Sequence, residues 1–433
     1  MGVDKTIAES VLRHIDASEL AQLACSLVDI PSATGHEVDL AEFILRWYAD
    51  HGIKPLRQEV EPGRPNAVGI LKGTGQGLSL MFNGHMDTSF TGTDEDRLIT
   101  TVDSDEDLGG RIVDGKVRGL GISNMKGGLA AFLTAASAIV KSGVKLKGDV
   151  VLAAVVGEIS RTPIGPYQGS EFRGEGIGTR HLLTHGVQSD YALVADGSDL
   201  NIIWTQNGVV DLKVTVFGHA KSAWNSDRAT EPSIDMNAVV KMAKVVEAID
   251  EWGARYEVEN VYEAATGPML PKVNVGAIEG GAPYKPNYFP GVCSIYVDVR
   301  IPPHIMPVSV QNEVAKVLDS LGFEYELEVY RTLRGYEGAG VEPLVQSIND
   351  VHEHLFGTKP EPEKPRRASI WTDTNVYNEL GIPAVKIGPR GRNVGGRVEE
   401  IEIEDMVKAA KIYALVALDM CSRPRPTGDG RPR

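Results

Sequence analysis

Short apolar runs at 67–72, 78–83, 148–156 and 191–196 alternate with amphipathic stretches through the first half of the chain. Runs of that length read as buried strands and the stretches between them as helices, which predicts a largely parallel sheet with helices on its faces. Residues 7–51 read as two amphipathic helices around Ile30-Pro31-Ser32-Ala33-Thr34-Gly35. The character changes near 209, where Val209-Val210-Asp211-Leu212-Lys213-Val214-Thr215-Val216 alternates like a half-exposed strand. A helix at 234–251, strands at 272–279 and 292–300, a helix at 308–321 and a strand at 324–332 follow. That order suits a small α+β layer with one open sheet face. After 340 the buried α/β character returns, with a helix near 343–356 and the run Ile382-Pro383-Ala384-Val385-Lys386-Ile387. The expectation is one α/β domain of mostly parallel sheet formed by 1–208 and 334–422, interrupted by an inserted α+β domain at 209–333. A loose tail at 423–433 completes the chain.

Composition narrows the classes. A length of 433 residues, 42% hydrophobic and 24% charged, fits a soluble protein of two domains. The formal charge of −15 argues against nucleic acid as a partner, because phosphates need a basic face. Cys25, Cys293 and Cys421 are far apart and odd in number, which suits a reducing cytoplasm and offers no disulfide framework. No stretch has the apolar length of a membrane span, and the N-terminus lacks the pattern of a secretory signal.

Candidate chemistry concentrates at the ends of the apolar runs. Leu80-Met81-Phe82-Asn83-Gly84-His85-Met86-Asp87-Thr88 places a His and an Asp two residues apart, on the same side of an extended chain. The imidazole can bind a metal while the carboxylate fixes its tautomer. A Gly-rich loop, Gly119-Leu120-Gly121-Ile122-Ser123-Asn124-Met125-Lys126-Gly127-Gly128, opens an alanine-rich helix. Glu158 ends another apolar run, where a carboxylate is expensive to bury without a purpose.

These segments together resemble the M20 metallopeptidase family, which includes carboxypeptidase G, acetylornithine deacetylase and succinyl-diaminopimelate desuccinylase. The resemblance extends through Asn274-Val275-Gly276, Asp298-Val299-Arg300, Trp371-Thr372-Asp373-Thr374 and Gly388-Pro389. It implies a zinc-aminopeptidase-like catalytic domain, with the inserted α+β domain acting as a lid and as the contact of a homodimer or higher homo-oligomer. It also implies two metal ions, bridged by an Asp, with a Glu as general base. Matched position by position, His85 and Asp87 are present, and Asn124 stands where the bridging Asp belongs. Glu158 matches the base, but Ile159 replaces the ligand Glu beside it. Asp196 matches the carboxylate that accompanies the first His, and Gly395 takes the place of the C-terminal His.

One carboxylate and a neutral amide cannot offset the charge of two divalent ions. What remains is a site for one weakly bound divalent transition metal, Mn, Zn or Co, held by His85, Asp196 and Asn124. The family's lid His, which stabilises the oxyanion, has no direct counterpart. Either His219 has taken that role, or Lys221 or Ser222 donates instead, or the contact is absent. Arg300, Arg390 and Arg392 are candidates to hold a substrate carboxylate, since a guanidinium can do so bidentately. The loop from Ser160 to Glu175 looks inserted and suits an unusual pocket.

The leading expectation is a single-metal hydrolase of a C–N bond in a small, carboxylate-bearing substrate. Glu158 is its general base, and Asp87 orients His85. The bond is either an amide, as in a deacylase or dipeptidase, or the amino group of an aromatic acid such as 5-nitroanthranilate. The rival reading is a metal-free binding or regulatory protein that keeps the fold without the chemistry.

Overall fold

The computed structural model describes residues 4–99, 108–159, 161–227, 229–360, 370–394, 396 and 398–425. The first segment forms three helices, α1 (Lys5–Leu12), α2 (Ala17–Val28) and α3 (Val38–Asp50), where periodicity predicted two. The extra boundary has a local cause. The Asp16 carboxylate accepts from the backbone N–H groups of Ser18 and Glu19, an N-cap that starts a new helix.

Strands β1 (Lys54–Glu61), β2 (Arg64–Leu71), β3 (Leu80–His85), β4 (Arg111–Val113) and β5 (Lys116–Gly119) lead into α4 (Gly127–Ser142). Next come β6 (Val150–Val155), α5 (Ile177–Thr184), β7 (Tyr191–Val194) and the short β8 (Thr205–Gln206). The middle of the chain is β9 (Gly208–Phe217), α6 (Ser233–Met236), α7 (Ala238–Glu259), β10 (Tyr262–Ala264), β11 (Gly267–Met269), β12 (Lys272–Gly280), β13 (Val292–Ile301), α8 (Pro307–Leu321), β14 (Tyr325–Leu333) and β15 (Tyr336–Glu337). The last part is α9 (Glu342–Phe356), α10 (Thr374–Glu379), β16 (Ala384–Lys386), β17 (Gly391–Arg392), β18 (Glu399–Glu402) and α11 (Ile403–Ser422).

The main sheet has the order β1-β2-β6-β3-β7-β16. Strands β6, β3, β7 and β16 are mutually parallel, while β2 runs antiparallel to both β1 and β6. The run at 67–72 therefore departs from the parallel pattern. Residues 72–79 join β2 to β3 and are too few for the helical crossover that a parallel connection requires. Side chains alternate across the sheet. Leu80, Phe82, Leu152 and Ala154 join the core under α4 and α11, while Met81, Val151, Ala153 and Val155 face Leu182, Leu183 and Tyr377 on the other side.

The middle segment forms a second, antiparallel sheet of order β12-β13-β9-β14 with its own core. Val210, Leu212, Val214 and Val216 from β9 pack on Val245 and Ile249 of α7 and Val314 of α8. The helix expected at 234–251 is divided at Asn237, whose side chain accepts from Val239 and Val240 and caps α7. Among the described residues no helix is long and apolar enough to cross a membrane. The last residues of the expected tail, 426–433, lie outside the described residues.

Candidate active site

Because β3, β6, β7 and β16 are parallel, their carboxyl ends open on one edge, where open α/β sheets gather their reactive groups. Strand β3 ends on His85, β6 runs on to Glu158, β7 to Asp196, and β16 ends on Lys386. The N-terminus of α4 crosses this edge so closely that a Cβ on Gly128 would lie 2.0 Å from the carbonyl oxygen of Ala195. That approach explains Gly128, while a Cβ on the preceding Gly127 would crowd Ile401 and the Ile122 carbonyl oxygen.

His85 is buried at the centre. Its Nδ1 lies 3.0 Å from the backbone carbonyl oxygen of Asp87 and 3.4 Å from the Asp87 carboxylate. Its Nε2 is 2.9 Å from Oδ1 of Asn124 and 3.7 Å from the Glu158 carboxylate. Asp87 thus orients the imidazole more through its main chain than its side chain, a refinement of the expected role. Its carboxylate chiefly accepts from the backbone N–H groups of Glu158 at 3.1 Å and Ile159 at 2.9 Å, and from the Thr34 hydroxyl at 3.0 Å. It therefore fixes the turn that presents Glu158. Asn124 is placed by Glu399, whose Oε2 accepts from the backbone N–H groups of Ser123 at 2.7 Å and Asn124 at 3.0 Å.

The electrostatics divide this cluster in two. Burial would raise the carboxyl of Asp87, but the His85 imidazole and two backbone N–H groups outweigh it and hold it below its usual range. Asp196 is also held low against its burial, here by the Lys386 ammonium, with His85 and the Gly197 N–H assisting. Glu158 goes the other way. Burial pushes it up to about 8, with Asp373, Asp87 and Asp196 adding to the rise against the pull of His85. Asp373, buried ahead of α10, is pushed up to about 7, again chiefly by burial. His85 is raised even though burial opposes it, because the charges of Glu158, Asp87 and Asp196 surround it. The four acids thus shift in opposite directions, Asp87 and Asp196 downwards and Glu158 and Asp373 upwards.

The family model described as Peptidase family M20/M25/M40 matches residues 81–419. The chain belongs to this family. Among curated relatives, N-formyl-4-amino-5-aminomethyl-2-methylpyrimidine deformylase of Halalkalibacterium halodurans is 26% identical over 96% of this chain and 98% of its own length. Human carnosine dipeptidase 1 has the same fold, with a TM-score of 0.71 at 16% identity over 96% of this chain and 99% of that one. A dinuclear metal-binding M20 peptidase from Bacillus subtilis aligns with a TM-score of 0.62 at 14% identity, over 96% of this chain and all of its own. The M20 resemblance, the two-sheet α/β architecture and the expectation of an M20-type hydrolase all agree with these matches.

A dinuclear centre does not fit the residues of this M20 site. Among the described residues no group of three or more His, Cys, Asp or Glu side chains is arranged to hold a metal ion. The bridging position carries the neutral Asn124, with its amide oxygen against His85, and Ile159 offers no ligand. Asp196 is engaged by Lys386, whose Nζ lies 2.9 Å from Oδ2, while Oδ1 accepts from the Gly197 N–H at 2.7 Å. Gly395 lies outside the described residues.

The remaining candidates have other partners. Lys221 pairs with Glu231 at 2.7 Å, the Ser222 hydroxyl accepts from Asn225, and His219 is exposed beyond the end of β9. Arg300 donates to Asp298 at 2.8 Å. Arg390, just before β17, and Arg392, at its end, are about half exposed, and among the described residues they lie 3.7 Å from Asp199 and 3.9 Å from Glu402. Asp373, Lys386 and Glu399 join the site although sequence reasoning did not select them. One signal was available: a lysine inside the apolar run 382–387 needs a buried partner.

Proposed function

We propose that this protein hydrolyses the C–N bond of a small N-formyl or N-acyl amine, with Glu158 as general base and then general acid. The observation that carries this reading is the state of Glu158. It is a nearly buried carboxyl, presented by a turn that Asp87 clamps and raised by burial towards the working pH range of an acid–base catalyst. Water adds through its oxygen to the acyl carbon as Glu158 takes its proton. The C–N bond then breaks as Glu158 returns that proton to the departing nitrogen. His85 stands beside the carboxyl at 3.7 Å and, when protonated, stabilises its charged form. The Asn124 amide, unlike an Asp, offers N–H donors to the developing oxyanion.

The deformylase relative supports amide cleavage over removal of an amino group from an aromatic acid. Arg390 and Arg392 are the groups that would meet a carboxylate on the substrate, and the exposed His219 is the donor that a second copy would bring through a lid contact. A single, weakly held Mn, Zn or Co ion remains the form of metal use expected from the sequence, and it would require Asp196 to leave Lys386. The test is release of formate or carboxylate from N-formyl heteroaromatic amines and N-acyl amino acids by wild type and Glu158→Gln. A folded variant should lose ~10²–10⁴-fold in kcat/KM. Equal rates in the two proteins would overturn the assignment.

A further inference from the structure

We propose that Lys386 is a resident cation that has taken Asp196 over from a metal ion, so that the site balances its buried acids with its own side chains. The contact is built into the main sheet. Strand β16 pairs in parallel with β7 in a register that sets Lys386 opposite Val194, two residues before Asp196. Lys386 therefore emerges beside the end of β7 and reaches Asp196 Oδ2 at 2.9 Å. Its side chain is fully buried. An ammonium in that position is strongly unfavourable unless an anion faces it, and an aliphatic side chain would otherwise complete the apolar run.

The surroundings agree. Both oxygens of Asp196 already accept a hydrogen bond, and a divalent ion binding there would sit against the ammonium and be repelled by it. Across the site Asn124 and Ile159 supply neither of the carboxylates that would draw a metal in from the other side. On that side the His85 imidazole lies 3.4 Å from the Asp87 carboxylate. The inference is independent of the substrate proposed above, because it concerns what binds Asp196 and not what is cleaved.

Isothermal titration of the full chain with Mn²⁺ and with Zn²⁺ tests it, using wild type, Lys386→Met and the double variant Lys386→Met/Asp196→Asn. Freed of its ammonium, Asp196 should ligate, so Lys386→Met should bind at least tenfold more tightly than wild type. The double variant should return to the wild-type value, weak or undetectable. A folded Lys386→Met protein with no gain would overturn the proposal. So would a double variant binding more than tenfold more weakly than wild type, because Asp196 would then be a ligand despite the lysine. If Lys386→Met alone does not fold, wild type against the double variant decides: equal affinities uphold the proposal and a tenfold loss defeats it.

Discussion

The two sides of the active site hold the same kind of residue and treat it in opposite ways. At the ends of β3 and β6, the group beside Glu158 among the described residues is an imidazole at 3.7 Å, and its carboxyl is pushed up to about 8. At the ends of β7 and β16, Asp196 has an ammonium at 2.9 Å and is held low. Both are largely buried, so desolvation raises both, and the difference lies in the neighbouring group. A carboxyl that exchanges protons near neutrality suits acid–base work, whereas one locked in an ion pair fixes charge and geometry.

The largest effect expected from breaking this contrast is on Glu158. Glu158→Gln should lower kcat/KM by ~10²–10⁴-fold. It should also change how stability depends on pH. With its pKa raised from 4.5 to about 8 on folding, Glu158 keeps its proton in the native state where the unfolded chain has lost it. Its contribution to stability is therefore present below about 4.5 and lost as pH rises towards 8. Denaturant titrations at pH 5 and pH 9 should show the Gln variant gaining relative to wild type at the higher pH, and a gain at the lower pH alone would contradict the assigned shift.

On the other side, Asp196→Asn strands the buried Lys386 ammonium and should cost about 3–5 kcal/mol by urea unfolding. Removing both charges together should recover most of that loss, whereas additive losses in the double variant would show that the two groups do not act as a pair. Asp87→Asn comes next. It removes a charge that two backbone N–H groups share, loosens the turn at Glu158, and should reduce kcat about 10–100-fold. Unchanged kcat would detach Asp87 from the placement of Glu158. The smallest change is expected for Asp373→Asn. With that neighbouring acid neutral, the rising limb of the pH–kcat/KM profile should move to lower pH, because Asp373 helps to raise Glu158. A fixed midpoint would put Asp373 beyond electrostatic reach of the base.

Much of the architecture was legible because it follows local periodicity. The alternation in 209–216 became β9, with Val210, Leu212, Val214 and Val216 all facing the second core. The exceptions had short-range chemistry that competed with the pattern: the Asp16 and Asn237 caps divided stretches that read as single helices. The antiparallel β2 followed from the length of one connection. Within the site, His85, Asp87 and Glu158 stood out as polar residues at the ends of apolar runs, Asn124 and Asp196 were reached through the M20 resemblance, and all five lie along the edge formed by the parallel strands.

What the sequence could determine by itself was this set of residue types at strand ends, a property of neighbours in the chain, while the M20 resemblance marked Asn124 as standing where a bridging carboxylate belongs. Which acid works as a base and which is neutralised was decided by tertiary structure. Lys386 and Asp196 are 190 positions apart, and only the placement of β16 beside β7 puts an ammonium on that carboxylate. Asp87 reaches the backbone of Glu158 across 71 positions in the same way. Charge acts through space and low dielectric rather than along the chain, so the division of labour among these acids came into being with the sheet order.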